Sequence, residues 1–232
     1  GMVFTELMEM VEAAWSLDMV DAIIARSRVP SGGAYTSVGT YPHEEIIALV
    51  AALSQETGIA APDLVRTFGK YLFGRFALAY PRFFQGASSS FPFLSGIEDV
   101  IHADVRKLYP DAELPTFEVE KGNNTLTLTY FSDHPFADLA QGLIEGCVAH
   151  FGENIEVKRE DVADGVERAN LGVVQMTRQA KVNRHLRLLS QALRLLTAGS
   201  AAGADQHRIR MPREQPRHRA HQRQVSLARH HA

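Results

Sequence analysis

A single cysteine, Cys147, occurs in 232 residues, which excludes an internal disulfide and every multi-cysteine metal site. It lies in an apolar segment beside Leu143 and Ile144, where a free thiol reads as a small buried hydrophobe. No apolar run is long enough to span a bilayer, and no signal peptide opens the chain, so a soluble, cytoplasmic protein is expected. Gly1 before Met2 reads as a tag-removal remnant and is set aside. There is no phosphate-cradling glycine loop, no paired nucleophile and base, and no metal-ligand cluster outside the C-terminal tail. The chain is therefore not expected to be an enzyme.

What is present divides unevenly. Hydrophobic residues make up 45% of the chain and the formal charge is −3, enough for one large core with an appendage. The appendage is basic. In 203–232, seven arginines face Asp205 and Glu214 for a charge of +5, leaving −8 on all other residues. Almost no apolar residues occur there, so this tail reads as disordered. A basic patch can touch nucleic acid or anionic lipid, but without an aromatic or a folded motif neither partner is expected. Just before it, in 176–202, Val182, Leu186, Leu189, Leu193 and Leu196 follow the a/d spacing of a short coiled coil. That pattern predicts a homodimer through 182–196.

From the N-terminus, apolar residues at helical spacing on both sides of Ser16 predict two short helices capped there. Residues 27–42, rich in Gly, Ser and Pro, form a loop. A helix from His43 to Thr57 opens after Pro42 and closes at Gly58, with Ile46, Ile47, Val50 and Leu53 on one face and His43 solvated in its first turn. Pro62 opens another helix, rich in aromatics, whose Phe68, Leu72 and Phe76 could line a flat cofactor or be plain core. After Pro115 the periodicity changes to two: Phe117 and Val119 on one arm, Leu126, Leu128 and Tyr130 on the other, joined by Gly122-Asn123-Asn124, which predicts a hairpin. A helix from Pro135 to about Phe151 carries Gly142 and Gly146, which allow close approach of another element. Strands are expected at Ile155–Val157 and Leu171–Gln175. The fold class is α+β: an N-terminal helical part, then an antiparallel sheet with crossing helices.

Between these halves lies Ser95 to Tyr109, with Ile97, Val100, Ile101, Val105 and Leu108 at helical spacing and a start capped by Ser95 or Asp99. His102 sits at the edge of this stripe. A lone histidine there is more often a satisfied boundary residue than a ligand.

The succession around it says more. His102 is followed by Leu114-Pro115-Thr116, by Tyr130-Phe131-Ser132-Asp133-His134, and by a Gly-containing apolar helix. This order closely resembles the haem nitric-oxide/oxygen binding (H-NOX) family, the sensor domain shared by bacterial gas sensors and soluble guanylate cyclase, in a divergent bacterial form. Phe68-Gly69-Lys70-Tyr71 and Tyr80-Pro81-Arg82-Phe83-Phe84 also look like the family. The resemblance covers residues 2–175 and implies a haem b held without covalent attachment, since no Cys-x-x-Cys-His exists. It implies His102 as the proximal iron ligand, Pro115 beside the haem, and Tyr130 and Ser132 on the propionates. His134 stands where the family has an arginine, so a permanent charge and a bidentate fork are replaced by an imidazole. Met10, Leu72, Phe76, Leu139 and Leu143 would form apolar walls of the pocket.

Oxygen-holding members use a distal tyrosine as hydrogen-bond donor, and Leu139 occupies that position here. The implied ligand is therefore nitric oxide, with carbon monoxide beside it. The implied role is gas sensing, with the signal passed through 176–202 to a partner in trans such as a histidine kinase or a cyclic-nucleotide enzyme. Two alternatives stay open: a descendant that has lost haem and binds another apolar ligand, or a dimerisation scaffold.

Overall fold

The computed structural model describes residues 1–110, 112–163 and 167–175. Four helices come first: α1 (Met2–Ala14), α2 (Leu17–Ser27), α3 (His43–Thr57) and α4 (Ala61–Ala79). The boundaries follow local chemistry. The Ser16 hydroxyl accepts the Met19 N–H at 3.2 Å, satisfying one of the unpaired donors that open α2. At the far end of α3, Gly58 turns left-handed at φ 71° and its N–H closes onto the Ser54 carbonyl. Leu7, Val11, Ile23, Leu49, Leu53, Phe68 and Leu72 then meet in a first core. The face of α3 differs by one position from the expected stripe, because Ile47 is 39% exposed and Leu49 is buried in its place.

The single helix expected over 95–109 is interrupted. An α-helical turn, α5 (Ser90–Ser95), ends at Gly96, a π-helical stretch covers Ile97–His102, and α6 (Ala103–Leu108) follows. No side-chain cap from Ser95 or Asp99 starts the π stretch. The Ala103 N–H reaches back to the Glu98 carbonyl, one residue further than an α-helix requires. Ile97 and Ile101 pack inward, whereas Val100, expected on the same stripe, is 52% exposed.

The sheet contains β1 (Thr116–Lys121), β2 (Thr125–Ser132), β3 (Ile155–Ala163) and β4 (Glu167–Gln175), in spatial order β1-β2-β4-β3 and antiparallel throughout. The β1–β2 hairpin closes with Lys121 opposite Leu126, and β3 and β4 each run longer than their apolar kernels suggest. Period-two alternation buries Leu126, Leu128 and Tyr130 on one face of β2. Helix α7 (Ala137–His150) covers that face with Ala140, Ile144, Cys147 and Val148 in a second core.

Helices α4 and α7 cross at contact distance. A Cβ on Gly69 would lie 2.5 Å from the Leu139 carbonyl and 2.9 Å from the Gly142 Cα, and one on Gly146 would lie 2.7 Å from the Phe73 Cβ. Only residues without a Cβ permit that approach. The architecture is thus α+β, a helical N-terminal part joined to a small antiparallel sheet with helices. No helix among the described residues is long and apolar enough to cross a membrane. The heptads of 182–196 and the tail 203–232 lie outside the described residues, as does the partner-facing role assigned to them.

Candidate functional site

His102 ends the π stretch with its side chain only 12% exposed. Its Nδ1 stands 2.8 Å from Glu98 Oε1. A carboxylate is an acceptor, so a bonding contact at this distance requires the proton on Nδ1, and a neutral ring then leaves the Nε2 lone pair unprotonated. Burial lowers the imidazole pKa from its ordinary value, with Glu98 opposing, which favours that neutral form. Glu98 is itself held. Its Oε1 accepts the Phe117 backbone N–H at 3.1 Å and its Oε2 lies 3.4 Å from Arg106 Nη2. The carboxylate thereby ties the π stretch to the first residues of β1.

Aromatic contacts lead away from the histidine. The Phe117 ring lies 5.9 Å from His102 and 5.6 Å from Tyr130, centroid to centroid. Tyr130, 1% exposed, points its hydroxyl toward the His134 carbonyl at 3.5 Å. The Ser132 hydroxyl accepts the His134 N–H at 3.0 Å. These bonds fold the turn after β2 back on itself and present the His134 ring at the rim of a cleft of about 210 Å³ lined by Glu113, Leu114, Ser132 and Asp133. Pro115, half-buried, lies between that cleft and Phe117 in the chain.

His134 Nε2 meets Glu113 Oε2 at 2.7 Å, and the Glu113 side chain is 79% exposed. The imidazole thus meets an exposed carboxylate. His43, expected in solvent, instead packs its ring 4.0 Å from that of His134, with Phe136 at 6.1 Å. The correction has a simple cause: the first turn of α3 abuts the turn after β2, and two flat rings exclude water better together than apart.

The apolar residues fall on the first core. Met10 and Leu72 are buried in it, and Phe76, Leu139 and Leu143 pack against it partly buried. Ile97, Ile101, Phe117 and Tyr130, the neighbours of His102, belong to the second core instead. Leu143 of α7 touches both. The expected residues thus line two adjoining apolar bodies, with His102 on one and the wall opposite on the other. Phe68, weighed with Leu72 and Phe76 as cofactor wall or core, is buried beside Leu72 in the first core.

Three residues escaped the sequence reading. Glu98 was legible in principle, since a carboxylate four residues before a histidine faces it on a helix. Glu113 and His43 carried no such signal, being 21 and 91 positions from His134 in the chain.

These residues suit a haem. The donor set offers one imidazole whose Nε2 is left unprotonated, apolar walls, and a turn in which the Tyr130 and Ser132 hydroxyls bond the His134 backbone while the His134 ring meets the Glu113 carboxylate. Among the described residues no group of three or more His, Cys, Asp or Glu could hold a bare metal ion.

Comparison with known proteins bears on the same point. The chain is similar to the unliganded Fe(II) H-NOX protein of K. algicida, at 34% identity over 78% of this chain and 98% of that one with a TM-score of 0.72. It is similar to the H-NOX protein of Shewanella woodyi in its Fe(II)CO ligation state, at 38% identity over 78% and 96%, TM-score 0.68. The H-NOX protein of S. oneidensis in its Fe(II)NO state matches at 26% identity over 76% and 99%, TM-score 0.70. No curated protein sequence matches the chain. The haem-NO-binding family model matches residues 1–159, more than half the length, and with relatives above 30% identity aligned over nearly their whole length, the chain belongs to the haem-NO-binding (H-NOX) family.

Proposed function

We propose that the chain is a haem-based nitric oxide sensor domain in which His102 is the proximal ligand, and that it is not itself an enzyme. The observation that carries this reading is the His102–Glu98 bond, which leaves a neutral, partly buried imidazole with Nε2 available in a family that binds haem. Haem b, when bound, would supply the iron that holds a diatomic gas.

The residues of the chain divide the remaining work. Tyr130, Ser132 and His134 hold the propionates by hydrogen bonds, a weaker hold than an arginine fork. Met10, Leu72, Phe76, Leu139 and Leu143 exclude water, and Pro115 packs at the porphyrin edge. Leu139 offers no hydrogen-bond donor, so a polar oxygen ligand gains nothing from the wall, while nitric oxide and carbon monoxide depend less on one. Homologues are known in nitric oxide and carbon monoxide ligation states. Output then passes to a partner in trans, with residues 182–196 pairing two copies of the chain.

Visible absorption of the purified, haem-supplemented protein tests the assignment. The wild type should show a five-coordinate histidyl Fe(II) spectrum, and His102→Ala should lose it while far-ultraviolet circular dichroism is unchanged. A histidyl spectrum surviving in His102→Ala would refute the ligand, and a wild type that takes up no haem would refute the function.

A further inference from the structure

Glu98 makes contacts that the general family reading does not require. It accepts from the His102 ring at 2.8 Å and from the Phe117 backbone at 3.1 Å with the same oxygen, and its other oxygen faces Arg106 at 3.4 Å. It is an interior-edge residue, its side chain 25% exposed. It lies one π turn ahead of the histidine, and its own backbone carbonyl accepts the bond that defines that turn. Both the backbone and the side chain of one residue thus set where the His102 ring stands.

The geometry points to Glu98 as the positioning residue of the proximal side: it fixes His102 in its Nδ1–H form, leaves the Nε2 lone pair unprotonated, and, through a charged acceptor on Nδ1, would make the imidazole a stronger donor to iron. A ligating histidine commonly gives its second N–H to an outer partner, and a carboxylate partner raises ligand basicity more than a neutral one. A more basic axial ligand favours the ferric over the ferrous state and strengthens the metal–nitrogen bond. In this chain the His102 imidazole would therefore hold iron more firmly than one bonded to a backbone carbonyl or to water.

The inference rests on His102 as haem ligand for its electronic half and on the protein alone for its tautomeric half, so the two can fail separately. The first measurement is nitrogen-15 NMR of the His102 ring in full-length, haem-free protein. Wild type should show one Nδ1-protonated form, and Glu98→Ala should show a mixture of tautomers. The second uses haem-loaded protein and compares wild type, Glu98→Ala and Glu98→Gln for the iron–histidine stretching frequency, the Fe(III)/Fe(II) midpoint potential and the rate of haem loss to an acceptor protein.

Glutamine keeps an acceptor oxygen for both the Phe117 N–H and the ring, so it removes charge while preserving the scaffold. Glu98→Gln should lower the stretching frequency and raise the potential with little change in haem loss. Glu98→Ala should do both and release haem faster, on the order of 10- to 100-fold. A stretching frequency and potential in Glu98→Gln equal to wild type would overturn the electronic role. A single Nδ1-protonated ring retained in Glu98→Ala would overturn the positioning role, whether or not haem binds.

Discussion

Substituting alanine at Gly69 should lower stability, while the same substitution at Gly74, five residues along the same helix, should raise it. A new Cβ on Gly69 would sit 2.5 Å from the Leu139 carbonyl oxygen and 2.9 Å from the Gly142 Cα. Ordinary contact between carbon atoms is about 3.5–4.0 Å, so α4 and α7 must separate locally by roughly 1 Å. Every obstructing atom is backbone, so no side chain can rotate away. Overpacking of this kind costs about 1–3 kcal/mol, and the helical preference of alanine over glycine returns about 0.8–1.0 kcal/mol. With a rigid obstacle the upper part of the range applies, leaving a net loss of about 1–2 kcal/mol. For a domain of this size that is a fall in Tm of about 2–8 °C. At Gly74 nothing lies within 4 Å of the new methyl, so only the propensity gain remains and Tm should rise by about 2–4 °C. Because Gly69 and Gly142 face each other, the double alanine variant should cost less than the sum of the two single changes. Thermal unfolding followed by circular dichroism measures all four proteins, and a Gly69→Ala variant as stable as Gly74→Ala would refute the close crossing. The consequence reaches the site, since α4 carries Leu72 and Phe76 and α7 carries Leu139 and Leu143.

Two further outcomes follow from shifted side chains. Tyr35 lies half-buried with its hydroxyl donating to buried Glu45 at 2.8 Å; burial, with Glu45 adding to it, raises its pKa from 10.0 to about 12. The folded protein keeps this proton between pH 10 and 12 while the unfolded chain releases it, so the contribution is intact below pH 10 and is lost as pH rises through that window. Urea midpoints should therefore fall more steeply there in wild type than in Tyr35→Phe; equal slopes would contradict the placement. Cys147 is fully buried, and burial pushes its thiol well up from the ordinary range. Iodoacetamide should leave it unmodified in the native protein at neutral pH and alkylate it on unfolding, as read by mass spectrometry; rapid native alkylation would show that the second core opens there.

The parts of the fold that could be read in advance are those whose cause is local. Ser16 caps α2 because its hydroxyl reaches an N–H three residues away, and Gly58 ends α3 because without a Cβ it takes the left-handed turn at little cost. The hairpin followed from alternation on both sides of Gly122-Asn123-Asn124. Periodicity was less discriminating about register. It admitted Ile47 and Val100 to stripes that they leave, since an apolar residue at the edge of a stripe fits either side. It could not separate a regular helix from a π stretch, because one additional residue per turn barely alters the order of apolar positions over six residues. Gly142 and Gly146 declared a close approach, but their partners on α4, Gly69 for the first and Lys70 and Phe73 for the second, were identified only when α4 was seen to cross them. At the site, His102, Tyr130, Ser132 and His134 stood out through their order along the chain. The tilted ring contact between His43 and His134 and the Glu113 contact arise from tertiary proximity, for which spacing carries no information.

The arrangement also bears on how an event at His102 could be felt elsewhere. Binding energy moves a conformational equilibrium only to the extent that it differs between two arrangements of the chain. Under the proposed reading those arrangements differ in whether His102 is held or released, and the first group to notice is Glu98, which shares one oxygen between the His102 ring and the Phe117 N–H. Phe117 stands opposite Tyr130 in the β1–β2 ladder, and Tyr130 stands opposite Ala169 in the β2–β4 ladder. Two rows of backbone hydrogen bonds therefore connect the histidine's anchor to the strand whose last residue, Gln175, immediately precedes 176–202. A ladder transmits a shift well because slipping it by one residue would turn every side chain to the wrong face, so it moves as a unit or not at all. The residues assigned to the opposite wall reach the sheet by another route, since Leu139 and Leu143 stand on α7, whose Ala140, Ile144 and Cys147 pack with Leu128, Tyr130 and Leu171 in the second core. Under the proposed reading a displacement of His102 would reach the C-terminal end of the sheet through Glu98, Phe117 and the two ladders, a route separate from the one that α7 offers to Leu139 and Leu143.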